Sequence, residues 1–284
     1  MKVYDDTVCS LGEGPLWHPE RQQLYWFDIH GSALHTRENN KTRSWQFDEN
    51  VSAAGWVDDT SLLVASETRL FRFNIENGTS EDVLPLEADN PDTRSNDGRA
   101  DPWGGFWIGT MSKTDRGAIG TIYRYYNGRV TPLWDKITIP NAICFTPDRS
   151  HAYFCDTIDN LMKRVALDHD GWPLGEPEVW LDLSGQPFGA DGAVIDADGN
   201  IWNAQWNGWR VACYAPDGTF LREFAVGGAH SSCPAFGGPD LTTLFCTTAE
   251  GRVSDADRAR SPDNGKVFFE EGVAKGQAEH RVIL

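Results

Sequence analysis

Gly192-Ala-Val-Ile-Asp-Ala-Asp-Gly199, followed at once by Ile201-Trp202, reads as a short apolar strand, a turn rich in Asp and Gly, and a second apolar strand. The same unit recurs along the chain. It appears as Gly14-Pro-Leu-Trp-His-Pro19 before Leu24-Tyr-Trp26, and as Ala53-Ala-Gly-Trp-Val-Asp-Asp59 before Leu62-Leu-Val64. It returns as Asp97-Gly-Arg-Ala-Asp-Pro102 before Phe106-Trp-Ile108, and as Ala142-Ile-Cys-Phe-Thr-Pro-Asp148 before Ala152-Tyr-Phe154. A last copy is Pro234-Ala-Phe-Gly-Gly-Pro-Asp240 before Leu244-Phe-Cys246. A spacing of roughly 40–50 residues is the length of one four-stranded propeller blade. The pattern predicts an all-β chain, a six-bladed β-propeller forming one domain over residues 1–284.

The residue just ahead of each unit is polar or small and differs from copy to copy: Glu13, Ser52, Asn96, Asn141, Asp191 and Cys233. In a propeller the innermost strands begin near the mouth of the central channel, so residues at this phase converge. Two carboxylates and two amides gathered in this way predict a site in the channel.

Composition narrows the class. The chain has 284 residues, is 40% hydrophobic and carries 12 tryptophans, enough to fill a core between face-packed sheets. A formal net charge of −17 argues against nucleic-acid backbones and anionic membranes, which need Lys and Arg patches. No stretch approaches the roughly 18 apolar residues of a membrane span, and Met1-Lys-Val-Tyr-Asp-Asp6 lacks the apolar region of a secretion signal. A cytoplasmic enzyme acting on a small molecule, as a monomer or weak oligomer, is the expectation. None of the six cysteines forms a C-x-x-C pair, and most lie in apolar strand runs, which predicts reduced, buried side chains.

Helical periodicity is nearly absent. Asn77-Gly, Asn127-Gly, Asp170-Gly, Asp198-Gly and Asp217-Gly are hairpin turns, because Gly favours and Asn and Asp tolerate the positive φ such turns require. Residues 251–265 break the pattern and read as a surface insertion with one short helix near 255–260. Arg281-Val-Ile-Leu284 reads as a closing strand that pairs with Val3-Tyr4 within one blade, leaving no open edge.

Glu13, Asn141 and Asp191 could each be an ordinary turn residue. Their shared phase makes them candidate metal ligands instead. Carboxylate and amide oxygens are hard donors, suited to one divalent ion such as Ca²⁺, Mg²⁺, Mn²⁺, Zn²⁺ or Fe²⁺. Positions left open would take water or a substrate oxygen. Arg94 and Asn96 offer a guanidinium fork and an amide for the hydroxyl and carbonyl oxygens of a polyol, with Asp97 bonding the local backbone to hold Asn96. His18 reads as a turn residue, while His230 and Cys233 are open candidates for the pocket rim. There is no His-Glu-x-x-His helix and no Gly-x-Ser-x-Gly elbow.

Leu11-Gly-Glu-Gly-Pro-Leu-Trp-His18, Arg94-Ser-Asn-Asp-Gly98 with Phe106-Trp-Ile-Gly-Thr-Met111, Pro140-Asn141, Asp191-Gly192 with Asp196-Ala-Asp-Gly-Asn-Ile-Trp202, and Phe236-Gly-Gly-Pro-Asp-Leu241 together resemble the SMP-30/gluconolactonase/LRE family, which includes regucalcin and bacterial sugar lactonases. The resemblance spans essentially the whole chain. It implies a six-bladed propeller with one divalent metal in the channel, Glu13, Asn141 and Asp191 as ligands, and Arg94 and Asn96 as substrate contacts. Two positions depart from the family pattern. Ala190 stands where Pro is frequent, and the loop after Met111 lacks the glutamate of regucalcin-like members, which fits the bacterial lactonases better.

The resulting expectation is a metal-dependent sugar lactonase that opens an aldonolactone of the gluconolactone, galactonolactone or pentonolactone type, with Asp191 as the catalytic base. A metal-dependent esterase or phosphotriesterase, and a non-catalytic calcium-binding regulatory propeller, are the alternatives.

Overall fold

The structure is a computed structural model that describes residues 1–114 and 116–284; Asp115, in the loop after Met111, lies outside the described residues. The chain begins with β1 (Lys2–Asp5). The first sheet holds β2 (Gly12–His18), β3 (Gln23–Asp28), β4 (Ala33–Glu38) and β5 (Lys41–Gln46). The second holds β6 (Val51–Asp58), β7 (Ser61–Ser66), β8 (Arg69–Asn74) and β9 (Ser80–Pro85). The third holds β10 (Thr93–Ala100), β11 (Phe106–Ser112), β12 (Gly120–Tyr126) and β13 (Arg129–Ile137). The fourth holds β14 (Pro140–Phe145), β15 (His151–Asp156), β16 (Leu161–Leu167) and β17 (Pro173–Asp182). Next come β18 (Gly189–Ile195), β19 (Ile201–Trp206), β20 (Arg210–Tyr214) and β21 (Phe220–Ala225), then β22 (His230–Gly237), β23 (Thr243–Ala249) and β24 (Val267–Glu270).

Neighbouring strands pair antiparallel through short turns. The runs β18-β19-β20-β21 and β22-β23-β24-β1 join into one sheet through the single pair Trp206↔His230. Every repeat read from the sequence is therefore a hairpin formed by the first two strands of a four-stranded run. Those first strands pack in a closed cycle: β2 lies against β6, β6 against β10, β10 against β14, β14 against β18, β18 against β22, and β22 returns to β2.

Burial explains the two kinds of strand. β7 and β14 are buried along their whole length, because sheets cover both faces. The outermost strands, such as β5 and β21, stay largely in solvent. An apolar cluster fills the gap between each adjacent pair of sheets. One joins Leu16, Tyr25 and Phe27 to Val64, Phe71 and Phe73; another joins Trp107 and Ile122 to Phe145, Phe154 and Val165. Trp17 and Trp26 pack on Ala235 and Phe245 across the seam between the last sheet and the first. Burying each such side chain contributes about 1.5–3 kcal/mol.

The insertion carries α1 (Asp255–Arg260), where the expectation placed it; Ser254 Oγ caps its first turn by accepting from Asp257 N. The termini differ from the expectation. β1 pairs with β24, whereas Arg281–Leu284 forms no strand. This tail bonds elsewhere: Val282 N donates to Trp56 O, Ile283 N donates to Gly104 O, and Val282 is wholly buried between the second and third sheets. Just before it, Gln277 Nε2 donates to Phe145 O and Ile195 O, and Glu279 pairs with Arg99. Residues 277–283 thus cross the cycle at the C-terminal ends of its inner strands, opposite the end where Glu13, Asn141 and Asp191 sit.

Candidate functional site

A bulge marks every position singled out ahead of a repeat. The ladder slips between Glu13 and Leu16 in β2, Val51 and Ala53 in β6, and Ser95 and Gly98 in β10. It slips again between Asn141 and Cys144 in β14, Ala190 and Ala193 in β18, and Ser231 and Pro234 in β22. A bulge breaks the in-out alternation and re-aims a side chain, so each inner strand can turn one residue toward the centre. The backbone that follows is tight. Gly14 has φ +51°, and a Cβ there would meet Ser52 O at 2.4 Å; a Cβ on Gly192 would meet Cys233 Sγ at 2.3 Å. Glu13-Gly and Asp191-Gly are therefore packing requirements at the centre of the ring. Ala142, after Asn141, takes φ +58° without being glycine, a strained conformation of the kind that gathers at functional sites.

The structure brings Glu13, Arg94, Asn96, Asn141 and Asp191 together on the wall of one cavity of about 480 Å³. Ser52 and Cys233, at the same phase, are buried away from it. Ser52 Oγ donates to Ser95 Oγ at 2.8 Å, and Cys233 borders only a void of about 10 Å³ beneath. His230 does not line the cavity either. His18 is buried at the end of β2, with Nε2 2.9 Å from Asp58 O. All six cysteines are buried and unpaired.

A chain of hydrogen bonds fixes the polar groups. Arg94 Nη1 donates to Asn96 Oδ1 at 2.8 Å and to Ser95 O at 2.8 Å. Asn96 Nδ2 donates to Asn141 Oδ1 and to Pro140 O, both at 3.0 Å. Asn141 Nδ2 donates to Thr157 Oγ1 at 2.8 Å, and Thr157 Oγ1 donates to Ala190 O at 2.8 Å. The relay orients the Asn141 amide and ties it to the strand that carries Asp191. Asp97, expected to bond the local backbone, is held by the Gly98 backbone and also accepts from Ile143 N of the next sheet at 2.8 Å.

The electrostatics are unbalanced. Burial, then the Asp97 carboxylate, pushes Glu13 up to about 8. Burial, then Glu13 and Asp97, holds Asp191 well above the usual carboxylate range. Burial pulls Arg94 down to about 10, with Glu13 pulling the other way, and its Nη1 bonds Ser95 and Asn96. Buried carboxylates crowded in this way, with Asp97 raising Glu13 and both raising Asp191, need a proton or a cation. Among the described residues no group of three or more His, Cys, Asp and Glu side chains is arranged to hold a metal ion on its own. The donor set is two carboxylates and an oriented amide oxygen, hard oxygen ligands that fit one divalent cation with open positions.

Residues that the repeats did not single out complete the cavity: His30, Lys113, Thr157, Ile158, Trp206 and Arg252. Most follow or end a second strand of a repeat. In an antiparallel hairpin the start of the first strand lies beside the end of the second, so that pairing rule pointed to them. Lys113 Nζ is held by Glu67 at 2.5 Å. No helix of the described residues is long and apolar enough to cross a membrane.

Residues 11–250 match the family described as SMP-30/Gluconolactonase/LRE-like region. A Rhizobium meliloti protein provisionally named a sugar lactone lactonase is 40% identical over 282 residues, covering 98% of this chain and 95% of that protein. The pentonolactonase XacC of Haloferax volcanii is 33% identical over 282 residues, covering 97% and 96%. A crystal structure of the calcium-binding protein regucalcin from Agrobacterium tumefaciens is 38% identical, covers 100% of this chain and 97% of that one, and superposes with a TM-score of 0.96. With its closed cycle of antiparallel sheets and its central cluster of carboxylates and amides, the chain belongs to the SMP-30/gluconolactonase/LRE-like family.

Proposed function

We propose that this chain is a metal-dependent sugar lactonase that opens an aldonolactone to the aldonic acid, built as a single six-bladed β-propeller domain over residues 1–284. It is a hydrolase acting on carboxylic ester bonds. One observation carries the reading. Glu13, Asn141 and Asp191, up to 178 residues apart in sequence, share one cavity with Arg94 and Asn96.

Glu13, Asn141 and Asp191 would hold one divalent ion, which when bound supplies Lewis acidity toward the ring carbonyl. Arg94 and Asn96 orient hydroxyl and carbonyl oxygens of the sugar. Asp191 takes a proton from the attacking water. The water oxygen bonds to the carbonyl carbon, the ring C–O bond breaks, and the ring oxygen leaves as a hydroxyl after taking up a proton. The relatives' printed names support a sugar lactone as substrate and calcium among the candidate ions, alongside Zn²⁺, Mn²⁺, Mg²⁺ and Fe²⁺.

The test is acid release from a panel of five- and six-membered aldonolactones before and after chelation. Turnover that a chelator removes and a divalent ion restores is expected. Tight calcium binding with no lactone turned over above the uncatalysed rate under any ion would replace the lactonase with the calcium-binding reading.

A further inference from the structure

The polar residues of the cavity leave the flat side of a sugar ring unassigned, and Trp206 supplies a surface for it. Trp206 ends β19 and lines the cavity shared by Glu13, Asn141 and Asp191. Its ring stacks on His230 with centroids 4.0 Å apart and planes 12° from parallel. His230 is buried behind it, with Nδ1 3.1 Å from Gly251 O. One face of the indole is therefore covered by imidazole, which leaves its other face and its edge to be shared between the cavity and the small cluster of Leu11, Ile29 and Ala249. Nε1 makes no hydrogen bond among the described residues and remains able to donate. Ile158, 65% exposed, borders the same cavity and extends the apolar wall.

We infer that Trp206 is the specificity-determining platform of this site: the C–H face of the lactone ring lies on the indole, and His230 is a positioning residue that fixes the indole plane. A sugar ring is amphipathic, with hydroxyls at its rim and C–H bonds on its faces. Arg94, Asn96 and the oxygen ligands serve the rim; without a platform the face would stay in water. An aromatic side chain gives a large flat contact for the ordering of two torsions, and the stacked imidazole has already ordered them. The platform favours lactones with an uninterrupted C–H face toward the indole. An epimer that points a hydroxyl at the ring leaves it without a partner, a mismatch that an apolar wall discriminates by about 100-fold at most. The inference rests on the lactonase reading for its substrate.

A structural role for Trp206, which also touches the small cluster of Leu11, Ile29 and Ala249, makes a different forecast. Trp206→Leu keeps apolar packing and loses the flat face; Trp206→Phe keeps the face. On the best aldonolactone, Trp206→Leu is expected to raise KM at least about 10-fold with kcat within about 3-fold, and Trp206→Phe to restore most of the loss. The ratio of kcat/KM between two epimeric aldonolactones should fall toward one in Trp206→Leu. His230→Ala should raise KM in the same way, with rescue by His230→Phe. Calorimetric binding of D-glucono-1,5-lactam to the same proteins separates this inference from the reading beneath it. If no lactone is hydrolysed, the lactonase reading fails, yet a 10-fold loss of lactam affinity in Trp206→Leu still upholds the platform. Unchanged KM and lactam affinity in Trp206→Leu, a fall in kcat alone, or no lactam binding by the wild type overturns it.

Discussion

Asn96 donates through Nδ2 to Asn141 Oδ1 at 3.0 Å, so the amide oxygen assigned to the cation is held by the residue assigned to the substrate. The two roles are coupled. Asn96→Asp keeps an oxygen for Arg94 but removes the donor to Asn141, and should therefore weaken the site as much as Asn96→Ala does. Loss of such an outer partner typically costs 10–100-fold in metal affinity or activity. Titrating a divalent ion into chelator-cleared Asn96→Asp should show a dissociation constant raised by about that factor. An affinity equal to wild type would uncouple the two residues.

Asp191→Ala should abolish turnover on every aldonolactone, because it removes both a ligand and the proposed base. Asp191→Asn makes a second, independent statement. It preserves volume and removes one of two buried, mutually repelling carboxylates, so the cation-free variant should melt a few degrees above the cation-free wild type. Thermal melts in excess chelator check this, and near-wild-type kcat in Asp191→Ala would remove it from the mechanism.

Much of this was legible in the sequence because propellers repeat. Each copy of the strand-turn-strand unit fell on a hairpin, and the common phase of Glu13, Asn96, Asn141 and Asp191 placed them on one cavity. The same phase could not separate these from Ser52 and Cys233, which are buried beside them, since depth along a channel leaves no mark on a repeat. Trp206 was hidden for another reason. In sequence it is one tryptophan of 12, and only the pairing of β18 with β19 carries it to the mouth. The tail misled because Val282 and Ile283 look like a strand, while their backbone amides are used singly, on Trp56 and Gly104.

Acid should destabilise the fold through its buried histidines, while Glu13 and Asp191, whose carboxyls are raised in the cation-free fold, act in the opposite sense. Burial holds His18, His35 and His230 below their usual value of 6.5. In the unfolded chain they bind protons as pH falls through about 6.5, whereas in the fold they stay neutral. The unfolded state then binds more protons, and stability, complete above pH 6.5, drops as pH falls toward the folded values. Each such group adds a slope of up to about 1.4 kcal/mol per pH unit. Because the carboxylates are common to both proteins, melts from pH 7 to 5 should show the wild type losing Tm relative to His18→Gln. A Tm difference between the two proteins that stays level over this range would contradict it.

Arg99 and Glu279 form the contact through which the C-terminal tail latches the ring, and both side chains are nearly buried, at 12% and 9% exposure. Around them Arg99 Nε donates to Ile143 O at 3.2 Å, Trp56 Nε1 donates to Glu279 O at 2.8 Å, and Arg281 Nε donates to Val57 O at 2.6 Å. One short segment thus reaches the second, third and fourth sheets, and through Gln277 the fifth. A ring of sheets can loosen at any interface, so a strap across its hub resists opening at several at once. Glu279→Ala leaves the Arg99 guanidinium buried without its partner, a change that costs about 3–5 kcal/mol. For a chain of this size that is a fall in Tm of roughly 10 °C. Replacing both residues with apolar side chains of similar volume should recover much of it, because the uncompensated charge is then gone. Neither residue lines the cavity that holds Glu13 and Asp191, so KM measured well below the melt should hold in Glu279→Ala. A Tm within a degree of wild type would mean the tail merely rests on the ring.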